Sequence, residues 1–155
     1  MQKITTFLWF NDNAGEAAEH YVSIFPDSRV LDVSRGPDGK AFLVTFQLEG
    51  QEFMALNGGP HFQFTEAVSL FVSCDSQSEL DSLWARLVAG GAPSQCGWLK
   101  DKFGLSWQIV PRVLGRLMQD RDPARAKRVM DAMRAMVKLD IAALEQAHAS
   151  EASGV

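Results

Sequence analysis

The spacing of apolar positions predicts that the chain opens with a strand, a helix and three more strands. Residues 3–10 are rich in β-branched and aromatic side chains, which is typical of a strand. Turn and cap residues at 11–13 precede apolar positions at helical spacing over 14–25. Pro26 and turn sequences at 36–39 and 50–51 separate the remaining predicted elements. These are strands at 28–35, 41–49 and 52–56, so that residues 1–60 form a first βαβββ module.

The same order of elements returns over residues 61–111. A loop from Asn57 to Glu66 leads into a predicted strand at 68–74, and Asp75-Ser76 is a helix cap. The apolar face of that helix consists of Leu80, Leu83, Trp84, Leu87 and Val88. A short pair of strands within 93–101 and a closing strand at 105–110 complete a second, shorter βαβββ module. The halves share element order rather than sequence, and the fold class is α+β with two βαβββ modules.

Residues 112–149 carry only helical periodicity, so amphipathic helices are predicted after the second module. Asp122-Pro123 is a typical helix start. The segment from Arg112 to Lys138 holds 8 of the 15 basic residues against 3 acids. These charges are interpreted as solvated helix faces, with a surface for an acidic partner or anionic ligand as the alternative. Residues 150–155 are predicted to be a disordered tail.

Composition and charge narrow the class of protein. The chain of 155 residues carries 15 Lys and Arg against 19 Asp and Glu, a net charge of −4 that disfavours nucleic-acid binding. No apolar run is long enough to span a membrane, and Met1 leads directly into a strand, so we expect a cytoplasmic protein without a membrane partner. Two cysteines exclude a disulfide scaffold.

Three sequence stretches carry a family resemblance: Asn57-Gly58-Gly59-Pro60, the run from Cys96 to Pro111, and the ending Met136-Val137-Lys138-Leu139-Asp140. With them, residues 1 to about 147 resemble the PhnB-like branch of the vicinal oxygen chelate superfamily. Members of this branch often carry the label 3-demethylubiquinone-9 3-methyltransferase, and the superfamily also holds glyoxalase I, bleomycin-resistance proteins and extradiol dioxygenases. The resemblance implies that the two modules form a curved mixed sheet. Its concave cup would hold the active site, usually in a homodimer.

The resemblance also implies where a divalent metal would bind. Superfamily enzymes take His, Glu or Gln ligands from the first and last strands of both modules. The matching positions here are Thr5 or Thr6, a residue near Phe53 or Ala55, Ser69, and Gln108, and only Gln108 is an ordinary ligand type. The three histidines, at positions 20, 61 and 148, lie on none of these strands. We therefore expect no resident metal and no other cofactor, although weak metal binding through Gln108 is left open.

Alternation along the strands predicts a face that suits a small organic ligand. Thr5, Phe7 and Trp9 share one side of the first strand, opposite Ile4, Leu8 and Phe10. Ser69, Phe71 and Ser73 match them on the fifth strand, and Ser106, Gln108 and Val110 on the last. Aromatic rings with a few hydroxyl and amide groups are typical of a binding pocket. The predicted ligand-binding residues are Thr5, Phe7, Trp9, Asn57, Ser69, Phe71, Trp98 and Gln108.

Several of these assignments have an alternative. Asn57 is predicted to bind a ligand at the rim of the cup, but an asparagine before two glycines is also common in an ordinary turn. Cys96 is a candidate nucleophile or an inert thiol, and His61 is a candidate base or an ordinary loop histidine. Asp101 is interpreted as a turn former. No catalytic residue is assigned.

Three functional hypotheses follow. The first is a metal-independent protein that binds a small organic ligand between its modules. The second is a metal-dependent lyase, isomerase or dioxygenase of the same fold. The third is an interaction protein that uses the basic C-terminal helices. Methyl transfer is not favoured, because no alternating βα units with a Gly-rich first turn are predicted.

Overall fold

The computed structural model describes residues 2–150, which fall into two compact units that divide between Phe64 and Thr65. We call them the first and second modules and describe each by itself. The first module follows the predicted order. Its elements are β1 (Thr6–Phe10), α1 (Ala14–Ile24), β2 (Arg29–Arg35), β3 (Ala41–Leu48) and β4 (Gln51–Asn57).

The four strands of the first module form a mixed sheet in the order β1-β4-β3-β2. β1 runs parallel to β4, and the remaining neighbours are antiparallel. One face of the sheet packs against α1, where Tyr21 lies beside Phe46 and Phe46 stacks on Phe53 with ring centroids 5.4 Å apart. Alanines at positions 14, 17 and 18 of α1 are fully buried, and their small side chains let the helix lie close to the sheet.

The first strand begins later than predicted, at Thr6 rather than residue 3. The side-chain amide of Gln2 donates to the carbonyl of Glu52 and accepts from its N–H, both at 3.1 Å. This side chain therefore occupies the backbone groups of β4 that a longer first strand would use. Ile4, which alternation assigns to the side of Leu8 and Phe10, is 84% exposed, whereas Leu8 and Phe10 are buried.

The second module repeats the topology and adds helices. Its elements are β5 (Ser69–Cys74), α2 (Gln77–Val88), β6 (Ala92–Pro93), β7 (Trp98–Lys100), β8 (Ser106–Pro111), α3 (Arg112–Met118), α4 (Pro123–Arg134) and α5 (Ile141–Ala149). The sheet has the order β5-β8-β7-β6, and β5 runs parallel to β8 as β1 does to β4. Ser76 caps α2 by accepting from the N–H of Glu79 at 3.1 Å, as the sequence predicts.

Asp101 fixes the turn between β7 and β8. Its buried carboxylate accepts from the backbone N–H groups of Phe103 and Leu105 at 2.8 and 3.0 Å and from the indole N–H of Trp107 at 2.9 Å. Trp107 is one of the largest fully buried side chains in the molecule. The predicted turn former thus also anchors a core tryptophan, because a buried carboxylate must be hydrogen-bonded.

The C-terminal helices belong to the second module and are tied to its sheet. The N–H groups of Cys96 and Gly97 donate to the carbonyls of Met136 and Val137 at 2.9 and 2.8 Å. Gly97 has φ +87°, and a Cβ on it would lie 3.0 Å from Leu139, so this close approach requires glycine. No helix among residues 2–150 is both long and apolar enough to cross a membrane. The predicted disordered tail, apart from Ser150, lies outside the described residues.

Candidate ligand-binding face

The sheet of the second module places the predicted polar and aromatic residues on one side. In the parallel pair β5 and β8, Ser69 lies opposite Ser106 and Phe71 opposite Gln108. Side chains of paired residues in a sheet share a face, and this face is the one opposite the buried Leu99, Trp107 and Ile109. We call it the open face of the second module. It consists of Ser69, Phe71, Ser73, Trp98, Lys100, Ser106, Gln108 and Val110, of which Ser106 and Val110 are buried.

A hydrogen bond joins the two central polar residues of the open face. The side-chain amide of Gln108 donates from Nε2 to Oγ of Ser69 at 3.0 Å. Oε1 of Gln108 and the hydroxyl hydrogen of Ser69 have no further partner among the described residues, so the pair offers one acceptor and one donor. Phe71, directly beside Gln108 in the register, is 59% exposed. The arrangement combines an aromatic surface with a neutral hydrogen-bonding pair.

A cavity of about 660 Å³ adjoins the open face at the end of β5 and β8. Phe71, Ser73 and Val110 form one wall, and Arg116 and Glu145 of the C-terminal helices lie at its edge. Its volume is in the range of small-molecule sites. The three strand residues in its wall are ones that alternation assigned to the binding face.

The corresponding residues of the first module are used differently. The indole N–H of Trp9 donates to the carbonyl of Gly59 at 2.9 Å, and its ring packs edge-on against Phe62. A Cβ on Gly58 would lie 2.3 Å from the Trp9 ring, so the ring covers the loop that follows β4. Phe7 remains 51% exposed. The sequence indicated a turn at Gly58-Gly59 but not the tryptophan that lies on it.

Asn57 and Thr5 occupy structural positions. Oδ1 of Asn57 accepts from the N–H of Ala14 at 2.8 Å, and Nδ2 donates to the carbonyl of Ala41 at 3.0 Å. Asn57 therefore ties the end of β4 to the start of α1 and to β3. Thr5 is half-buried and precedes β1. Ligand contacts by either residue stay a prediction.

The positions matched to metal ligands do not form a donor set for a divalent transition metal. In the first module Phe53 and Ala55 are buried apolar residues, and in the second Gln108 is bonded to Ser69 through its amide nitrogen. Hydroxyls and a single amide are poor ligands for Zn²⁺, Ni²⁺ or Fe²⁺. Over residues 2–150, no three or more His, Cys, Asp or Glu side chains come together in a group that could hold a metal ion.

Three carboxyl groups have lowered pKa values, and all three make structural contacts. Glu66 accepts a hydrogen bond from Lys100, and Asp81 accepts from Lys138 and Gln77. Asp120 accepts from the backbone N–H of Asp122 and from His148. Each contact lowers the pKa of the carboxyl because it favours the charged form. Only Glu66 is near the open face, through Lys100. None of the three contacts is the pairing of a nucleophile with a base, so no catalytic residue is assigned.

The basic residues of the C-terminal helices are largely engaged within the second module. Lys127 pairs with Asp131 and Lys138 with Asp81, at 2.7 and 2.8 Å. Arg128 donates to the carbonyl oxygens of Ala147 and His148 at the end of α5. These contacts favour the interpretation of the charges as helix faces and helix-end caps.

Two βαβββ modules with mixed four-stranded sheets form the vicinal oxygen chelate fold, which this chain shares with solved proteins of the glyoxalase and bleomycin-resistance type. Among solved structures, the chain is 38% identical to a Bacillus cereus PhnB protein described as a candidate 3-demethylubiquinone-9 3-methyltransferase, with a TM-score of 0.68 over 71% of this chain and 99% of that one. A Frankia glyoxylase/bleomycin resistance protein/dioxygenase domain shares the fold at 19% identity and TM-score 0.50, covering 72% of this chain and 93% of its own. A Pseudomonas aeruginosa protein also shares the fold, at 19% sequence identity and a TM-score of 0.59, over 71% of this chain and 96% of that one.

The model of the 3-demethylubiquinone-9 3-methyltransferase family matches residues 2–110, which end within β8. The chain belongs to this PhnB-like family. No curated protein sequence matches it. The predicted family and the α+β fold of two βαβββ modules are confirmed.

Proposed function

We propose that this chain binds a small, partly apolar organic molecule on the open face of the second module, without a resident metal ion. The observation that supports this most is the 3.0 Å hydrogen bond between Gln108 and Ser69 beside the exposed ring of Phe71. At two positions matched to metal ligands in the superfamily, the side chains bond to each other. They are arranged to recognise a neutral molecule.

The geometry favours a flat ligand that carries both a hydrogen-bond donor and an acceptor. The donor would bind Oε1 of Gln108 and the acceptor would take the hydroxyl proton of Ser69. The ring of Phe71 supplies apolar contact area, and the adjoining cavity of about 660 Å³ accommodates the remainder of the molecule. Each hydrogen bond is worth about 1 kcal/mol, so these two contribute orientation more than affinity.

The family name indicates methyl transfer, and we do not carry that activity to this chain. Nucleotide-type cofactors bind where a Gly-rich turn joins a strand to a helix in an alternating βα sheet. Here Asn11-Asp12-Asn13 joins β1 to α1, and the strands of each module follow one another in hairpins. The fold therefore supports binding of a small molecule better than methyl transfer. The homodimer implied by the family resemblance stays a prediction.

A fragment titration tests the proposal. Neutral aromatic compounds with one donor and one acceptor would be added to the ¹⁵N-labelled full chain, and amide shifts followed by NMR. We expect shifts at Phe71, Ser73 and Gln108, and a loss of affinity of about fivefold in Gln108→Leu. Gln47→Leu, the same change on β3 of the first module, is the matched control and should bind normally. Equal binding by Gln108→Leu and the wild type would refute the proposed site.

A further inference from the structure

A smaller cavity lies at the opposite end of β8 from the cavity of about 660 Å³. It has a volume of about 170 Å³ and is lined by Glu66, Pro93, Ser94, Trp98, Lys100 and Ser106, among others. A water molecule occupies about 30 Å³ of liquid, so one bridging water does not fill it. An apolar cavity of about 150 Å³ holds a benzene ring, so one six-membered ring fits a space of this size.

Ser106 lines this cavity and carries an unsatisfied polar group. The residue is 1% exposed, and its Oγ is covered by neighbouring atoms without a hydrogen-bond partner among the residues that the structure describes. A buried hydroxyl without a partner lowers stability, and alanine would fill the same position in β8 without that cost. The fold itself gives no reason for a hydroxyl here, which points to a ligand as its partner.

The charges around the cavity balance. Lys100 forms an ion pair with Glu66, and each of the two side chains is 43% or more exposed. An anionic ligand would meet the Glu66 carboxylate and a cationic one the Lys100 ammonium. A neutral group avoids both conflicts. The indole of Trp98 and the ring of Pro93 provide the apolar wall.

We propose that this cavity is a subsite for a neutral carbonyl or hydroxyl group carried on a flat ring, with Ser106 as its hydrogen-bond partner. With a small shift of the side chains that cover Oγ, the hydroxyl of Ser106 donates to a carbonyl oxygen of the ligand while the ring packs against Trp98. The inference rests on the proposed function, because Trp98 lies opposite Gln108 in the register and the subsite would hold one end of the same ligand.

The test uses four probes of one shape: benzamide, benzoate, benzylammonium and toluene. Each is titrated into the ¹⁵N-labelled full chain, with the amides of Lys100 and Ser106 as reporters. We expect benzamide to bind tightest and Ser106→Ala to weaken it about five- to tenfold. Ser94→Ala removes an exposed hydroxyl from the same cavity and is the matched control, with a change below about twofold.

Equal affinity for benzamide in Ser106→Ala and wild type would overturn the subsite, as would tighter binding of a charged probe. Urea denaturation adds a check without ligand: Ser106→Ala should be at least as stable as wild type, and a clear loss would mean that the hydroxyl already has a partner. Shifts confined to Phe71, Ser73 and Val113 would reject the subsite and leave the proposed function standing. Shifts at Ser106 with no effect of Gln108→Leu on any ligand would reject the proposed function, and with it the claim that the subsite holds one end of the same ligand.

Discussion

The two modules share one topology but use their strand residues in different ways. In the first module, the indole of Trp9 donates a hydrogen bond to Gly59 and lies on the loop after β4. The side chain of Asn57 is hydrogen-bonded to the start of α1 and to β3. In the second, the Gln108–Ser69 pair keeps one acceptor and one donor available, whereas the aromatic rings of Phe7 and Phe71 are exposed in both modules, at 51% and 59%. A repeated fold therefore supplies equivalent positions, and local hydrogen bonds decide which of them stay available to a ligand.

The modules also differ in how their hairpins are built. β2 and β3 have 7 and 8 residues, whereas β6 and β7 have 2 and 3. The short hairpin of the second module is followed by the buried carboxylate of Asp101, which satisfies two backbone N–H groups in the turn before β8 and the indole N–H of Trp107 within that strand. Asp101 is therefore a polar anchor for the strands that carry part of the open face.

The largest expected effect is at that anchor. Asp101→Ala leaves the N–H groups of Phe103, Leu105 and Trp107 without their acceptor, and we expect a loss of about 4 kcal/mol in the free energy of unfolding. Urea denaturation measures it. Asp131→Ala, which removes an exposed partner of Lys127, should cost about 0.5 kcal/mol or less. Similar stabilities for the two variants would contradict the role of Asp101.

A smaller loss is expected where the first module covers its own loop. Gly58→Ala places a Cβ against the Trp9 ring and should cost about 2 kcal/mol, because the ring must move and its bond to Gly59 is strained. Gly115→Ala is the control: it has open space in α3 and should be neutral or stabilising by up to about 1 kcal/mol. If both glycines tolerate alanine equally in thermal or urea unfolding, Trp9 does not pack on this loop as described.

The smallest effect concerns the ion pair beside the 170 Å³ cavity. The hydrogen bond from Lys100 lowers the pKa of Glu66, so the contact favours the folded state above the ordinary pKa of a glutamate and is lost as pH falls through the lowered value. An NMR titration of the Glu66 carboxyl should show that lowered pKa, and Lys100→Met should raise it toward the ordinary value. Lys102→Met should leave it unchanged. If Lys100→Met leaves the pKa of Glu66 unchanged, Lys100 does not pair with Glu66 beside the cavity.

Much of the fold could be predicted because it depends on local periodicity. The order of both modules, the Ser76 cap and the shared side of Ser69, Phe71 and Gln108 all follow from spacing along the chain. The late start of β1 could not be predicted from the sequence, because it depends on a contact between Gln2 and Glu52, which are 50 positions apart.

The same limit applies to the candidate site. Alternation placed Trp9 and Ser106 on the correct side of their strands, but whether each polar atom has a partner depends on distant residues. Trp9 finds the carbonyl of Gly59, also 50 positions away, whereas Oγ of Ser106 finds none among residues 2–150. Hydrogen-bond satisfaction is a property of the packed structure and carries no sequence signal of its own.

We propose that Gln108 and Ser69 bind a neutral organic molecule rather than a metal ion. Native mass spectrometry with elemental analysis, on untagged chain purified without chelator, is the sharpest test of this binding. We expect no stoichiometric divalent metal and, where an organic mass is carried through purification, its loss in Gln108→Leu. A stoichiometric divalent metal in the wild type that is lost in Gln108→Leu would contradict it.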